Sequence, residues 1–134
     1  MSFVVLDHDA DLRLEIDGSS EQEMYENAAR AIFSLITDPA RVHATTRREI
    51  TVGGNGELLI NFLNELIYIW DAQRFLPNLV TVSFHENGLN ATLTGEEFDP
   101  ERHEILLEMK AVTYHDFSIR QEEGKYKAII VVDV

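Results

Sequence analysis

Apolar and polar residues alternate strictly from Asp11 to Asp17, placing Leu12, Leu14 and Ile16 on one side of an extended chain. That period of two predicts a half-buried strand, ended by Gly18. Ser20, followed three residues later by Glu23, has the spacing of a helix capping box. It opens a predicted helix to about Ile36, with Met24, Ala28, Ala31 and Leu35 along one stripe and a stop at Asp38-Pro39. Glu49 to Val52 predicts a short strand, and Gly53-Gly54-Asn55-Gly56 a turn. From about Glu57 to Arg74 the period changes. Leu59, Phe62, Leu63, Leu66, Ile67 and Trp70 recur at the spacing of one helix face, and Pro77 lies beyond its end.

The remainder reads as β-structure. Val80, Val82 and Phe84 alternate with Thr81, Ser83 and His85; Asn87-Gly88 predicts a hairpin turn, and Leu89, Ala91 and Leu93 continue the alternation. Asp99-Pro100 begins a polar loop. Leu107, Met109 and Ala111 alternate with Glu108 and Lys110, which predicts a strand with Lys110 on its polar side. Phe117 and Ile119 predict another strand before a turn at Glu123-Gly124. Ala128 to Val132 is continuously apolar, as expected of a strand buried on both faces. Helices and strands do not alternate regularly, so the expected class is α+β, with two amphipathic helices packed on largely antiparallel sheet or sheets in one domain, residues 1–134.

Composition narrows the functional classes. Lys plus Arg number 11 against 24 Asp plus Glu, a net charge of −13. Direct binding to nucleic acid requires clustered cations, and none are visible; a basic protein partner or metal cations are the better match. Cysteine is absent, which removes thiolate nucleophiles, disulfides and cysteine-ligated zinc. No apolar run approaches a membrane span, and Met1 to Asp7 lacks the basic start of a secretory signal. A cytoplasmic setting without membrane association is expected.

Three places carry candidate chemistry. In Asp7-His8-Asp9-Ala10-Asp11 an extended chain puts three carboxylates on one side. Hard oxygen donors favour calcium, magnesium or manganese. An EF-hand reading fails, because Leu12 and Gly18 stand where its glycine and final glutamate belong; spacing alone is better explained by a solvated strand end. Asp133 follows the last apolar run and precedes Val134 at the terminus, and on its own reads as a solubilising end. His115 beside Asp116 has the composition of a general-base pair, but neighbours in a strand point oppositely and no nucleophile motif accompanies them. The histidines lack zinc spacing, and the glycine-rich turn lacks the Lys-Ser/Thr of a phosphate loop.

Five segments in order resemble the archease family. His8-Asp9-Ala10-Asp11-Leu12 is similar to its motif His-Thr-Ala-Asp-Ile, and Leu63-Asn64-Glu65-Leu66-Ile67-Tyr68 to its second-helix signature. Phe98-Asp99-Pro100-Glu101-Arg102-His103-Glu104 and Glu108-Met109-Lys110-Ala111-Val112-Thr113-Tyr114-His115 resemble its central motifs, and Val132-Asp133-Val134 its acidic ending. Asp9 departs from the usual Thr, and Arg13 from a small residue. The resemblance implies an archease-like α+β sandwich. It also implies a protein cofactor, not itself an enzyme, that promotes guanylylation and turnover of the RtcB-type RNA ligase in tRNA splicing and RNA repair. It implies a divalent metal, calcium first with magnesium or manganese as alternatives, at Asp11 and Asp133. Val134 is a further ligand and Asp9 a possible additional one; Lys110 is the residue of ligase activation. The alternative it carries is a chaperone-like binding module for tRNA-modifying or other tRNA-processing enzymes, with a structural metal.

Overall fold

The computed structural model describes residues 3–8 and 11–134, and the side chains of residues 3–5 and 11–134. Seven strands and two helices follow in order: β1 (Phe3–His8), β2 (Asp11–Gly18), α1 (Glu21–Ile36), β3 (Thr46–Val52), α2 (Leu58–Gln73), β4 (Phe75–His85), β5 (Gly88–Glu97), β6 (Ala111–Glu122) and β7 (Lys125–Asp133). They build two antiparallel sheets, one ordered β1-β2-β7-β6 and the other β3-β5-β4. Each helix touches both sheets: α1 packs on β2, β7 and β4, and α2 on β6, β3 and β4. The expected α+β class with two core helices is what forms.

Ser20 caps α1 as read, with the returning Glu23 bond shifted one residue upstream of the cap. Ser20 Oγ accepts the Glu23 N–H at 3.1 Å, while the Glu23 carboxylate turns back to the Ser19 N–H at 3.0 Å. Gly18 permits the strand to run into the helix, because a Cβ there would lie 2.4 Å from the Met24 backbone nitrogen. The apolar stripe of α2 is broader than its sequence spacing implies. Ile60 and Ile69 are buried along with Leu59, Phe62, Leu63, Leu66, Ile67 and Trp70. A helix apolar around more than half its circumference must be covered on two sides, and here it has a sheet on each.

Helix side chains take up backbone groups of two edge strands. Glu26 of α1 accepts the Val82 N–H of edge strand β4 at 2.8 Å. Asn64 of α2 does both jobs for edge strand β6. Its Oδ1 accepts the Val112 N–H at 2.7 Å and its Nδ2–H donates to the Val112 carbonyl at 3.1 Å.

Several boundaries differ from expectation. Residues 105–110 are not a regular strand: Ile105 makes an isolated bridge with Thr37, and the Leu106 N–H donates to the Ile36 carbonyl. Met109 is buried, but the ladder starts only at Ala111, and Val112 takes the inward position that alternation assigns to Ala111. The β4–β5 hairpin turns at Glu86-Asn87, one residue before the expected pair, because His85 already pairs with Gly88. Strand β4 also begins earlier, at Phe75, and carries an irregularity between Pro77 and Leu79.

Candidate functional site

The expected metal residues meet at one end of the four-stranded sheet. The β2–β7 register sets Asp11 directly opposite Asp133, Leu12 opposite Val132 and Leu14 opposite Ile130. Leu14, Ile130 and Val132 are fully buried toward the helices, so by alternation Asp11 and Asp133 project from the other face. Directly opposed residues carry Cβ atoms about 4.5–5.5 Å apart. Asp11 is exposed; Asp133 and Val134 are half-buried.

On its other flank Asp133 lies opposite Ala111 of β6. A small side chain there leaves the carboxylate room. The preceding residue, Lys110, donates its backbone N–H to the Asp133 carbonyl at 2.8 Å, and its side chain is exposed. Asp11, Asp133, Val134 and Lys110, from three segments far apart in sequence, thus gather at one corner. Asp9 lies outside the described residues.

The donor set suits a hard divalent cation. Like charges directly opposite one another across strands are destabilising, and among the described residues neither Asp11 nor Asp133 forms an ion pair with Lys, Arg or His. Among the same residues, no three or more carboxylate or imidazole side chains cluster as a ready-made metal cage. The two aspartates supply a pair of carboxylates, and oxygen ligands beyond them would come from Val134.

Residues 115 and 116 behave differently from the alternation rule. The register of β6 on β7 shifts between Thr113 and Ser118, and Asp116 has φ 53°. The irregularity turns His115 toward Asp116, with Nε2 and Oδ2 3.3 Å apart. Both are exposed, and Asp116 is also engaged by Arg13 at 2.9 Å.

A second polar centre was invisible as such in the sequence. Glu96 is buried and accepts from the His43 backbone N–H at 2.6 Å, from both guanidinium arms of Arg102, and from His103 Nε2 at 3.0 Å. His103, also buried, accepts the Asp99 N–H on Nδ1 at 2.9 Å, so the proton sits on Nε2 and the ring is a neutral donor to Glu96. The Arg102 guanidinium, helped by the His43 and His103 donors, pulls the Glu96 carboxyl down to about 2 against the cost of burial. This network ties the 96–104 loop together.

The sequence profile of the archease protein family matches residues 3–134. The chain belongs to the archease family. Protein archease of Pyrococcus abyssi is 37% identical over 135 residues, covering 96% of this chain and 95% of that one. The archease of Archaeoglobus fulgidus is 34% identical with both chains covered completely, and that of Methanosarcina mazei 32% identical over 96% of this chain and 93% of its own. The solution structure of protein 1598 of Methanobacterium thermoautotrophicum superposes with a TM-score of 0.76 at 35% identity, covering 98% of each chain. The crystal structure of an archease from Thermotoga maritima, described as a possible chaperone, shares the fold with a TM-score of 0.70 at 21% identity, covering 96% and 94%. Among the described residues of this archease no helix is long and apolar enough to cross a membrane.

Proposed function

We propose that this archease is a cytoplasmic protein cofactor of an RtcB-type RNA ligase, promoting its guanylylation and turnover in tRNA splicing and RNA repair. The cation is divalent, with calcium the first choice, held by Asp11 and Asp133 with Val134, and with Asp9 as a possible further ligand. The observation that supports this most directly is the register of β2 on β7, which sets Asp11 opposite Asp133 while the Lys110 backbone is bonded to Asp133. A bound cation supplies positive charge at a sheet end that is otherwise acidic. Lys110 offers an exposed ammonium beside it, a point charge suited to phosphate oxygens. The net charge of −13 favours docking on a basic RNA-handling enzyme over contact with RNA itself. The chain acts on another enzyme's turnover and needs no nucleophile of its own.

Guanylylation of a purified RtcB-type ligase by GTP, with and without this protein, tests the reading. Stimulation is expected, and Lys110→Ala should abolish most of it while changing stability by no more than about 0.5 kcal/mol, as for an exposed side chain. No stimulation by the native protein, or full stimulation by the variant, would sink the idea. The description of the Thermotoga maritima relative as a possible chaperone supports a second reading: a binding module for tRNA-processing enzymes in which the cation is structural. That reading predicts protection of a client from aggregation and no change in guanylylation rate.

A further inference from the structure

We infer that Asn64 is a positioning residue for the Lys110–Asp133 corner, its side-chain amide standing in for a missing neighbour strand. The inference rests on the reading of that corner as a cation and ligase-activation site. Strand β6 is the last in its sheet. Its first registered residues, Ala111, Val112 and Thr113, form a short isolated stretch. Before them the chain is irregular, and after them the register on β7 breaks until Ser118. On the β7 side, three ladder pairs and the Lys110–Asp133 backbone bond hold the piece of backbone that delivers Lys110.

Asn64 supplies what the ladder lacks. The Val112 N–H donates to Oδ1 at 2.7 Å and Nδ2–H donates to the Val112 carbonyl at 3.1 Å. This reciprocal pair has the bonding pattern of an opposed residue in an antiparallel sheet. Asparagine is a poor choice inside a helix, because its side chain competes for backbone bonds. Here it faces a strand instead, between the buried Leu63 and Leu66. Val112 is two residues from Lys110 and directly opposite Val132, the neighbour of Asp133. The rigid, buried helix α2 is thereby coupled to both the activating lysine and one carboxylate. Neighbouring Asn61 is a natural control: it lies one turn earlier and bonds the Gly53 and Asn55 carbonyls, away from the corner.

The test is calorimetric titration of the full chain with calcium chloride, alongside melting temperature and ligase guanylylation. Asn64→Leu, which keeps the shape and removes both bonds, should weaken calcium binding by about 10–100-fold, the usual effect of losing a group that orients metal ligands, and should lower stimulation in parallel. Asn64→Gln, which keeps the amide on a longer arm, should recover part of the affinity. Asn61→Leu should lower the melting temperature without changing calcium affinity. Native affinity in folded Asn64→Leu, or an equal loss in Asn61→Leu, would overturn the role. Absence of calcium binding in the native protein would instead overturn the reading of the corner, and the inference with it. If Asn64→Leu fails to fold, the native protein still decides. Saturating calcium should shift the Asn64 side-chain and Val112 backbone amide resonances and slow exchange at Val112, and unchanged signals at both would refute the coupling.

Discussion

Arg13 reaches across β7 to Asp116, its Nη1 2.9 Å from Oδ2. Arg13 lies opposite Val131, which in turn lies opposite Thr113, so the guanidinium crosses a full strand to reach the irregular part of β6. Val131 projects from the same face as Asp11 and Asp133, yet only 4% of it is exposed. Arg13 crosses β7 at the Val131 position, where an aliphatic stem can cover apolar surface, as long charged side chains often do. The two ends of the pair are 39% and 49% exposed, so the ion pair itself should contribute under about 1 kcal/mol. Arg13→Ala should therefore destabilise more than Asp116→Ala, and a double-mutant cycle in urea should give a coupling below about 1 kcal/mol. Equal losses for the two single variants would mean that the charge pair, and not the covering stem, matters.

The opposed carboxylates give a change of sign that depends on the cation. With chelator present, Asp11→Asn relieves repulsion between like charges, worth about 1 kcal/mol at ~4 Å in water, and should be neutral or stabilising. With calcium at about a hundred times its Kd, the native protein should gain roughly 2.7 kcal/mol that Asp11→Asn and Asp133→Asn do not. Thermal melts in both conditions check this; identical calcium effects on all three proteins would count against the site.

Acid should find the Glu96 network. A carboxyl held at about 2 in the folded state, below its ordinary value of 4.5, contributes stability that is fully present above the ordinary value. That contribution is lost as pH falls from there through about 2. Urea unfolding between pH 6 and pH 2 should therefore show a steeper acid loss for the native protein than for Glu96→Gln. At neutral pH the variant should cost roughly 1–3 kcal/mol, because the buried His103 ring and the His43 backbone N–H lose their charged acceptor. A pH dependence identical in the two proteins would contradict the assignment.

Leu63 is fully buried on α2. Leu63→Ala should cost about 2–5 kcal/mol by the methyl groups and cavity left behind. Loss of ligase binding at unchanged stability would show an exposed groove instead of a core.

The sequence was most legible where one side chain's environment is set by its own element. The alternation of Leu12, Leu14 and Ile16 and the stripe of α2 follow from a period and a single apolar face. The burial of Ile60 and Ile69 did not, because it depends on α2 lying between two sheets. Leu107 to Ala111 alternates like a strand, but the ladder on β7 begins only at Ala111, so the pattern overstates its regularity. The His115–Asp116 contact arises from a local break in register that alternation cannot foresee. Asp11 and Asp133 were each ambiguous alone, and only the pairing of β2 with β7 brings them together. Asn64 and Val112 are 48 residues apart; their bond depends on where α2 docks, which no local pattern encodes.

The carboxylate of Glu26 on the Val82 N–H bears on how copies of this chain behave toward one another. An open strand margin is a template on which a second molecule can add its own strand and begin a fibre. On one side of the three-stranded sheet α1 already occupies the Val82 N–H of that template, and on the other, β3 presents Arg47, Arg48 and Glu49, charges that discourage stacking. Colloidal self-restraint is thus written into the same helix-to-strand contacts that join the sheets.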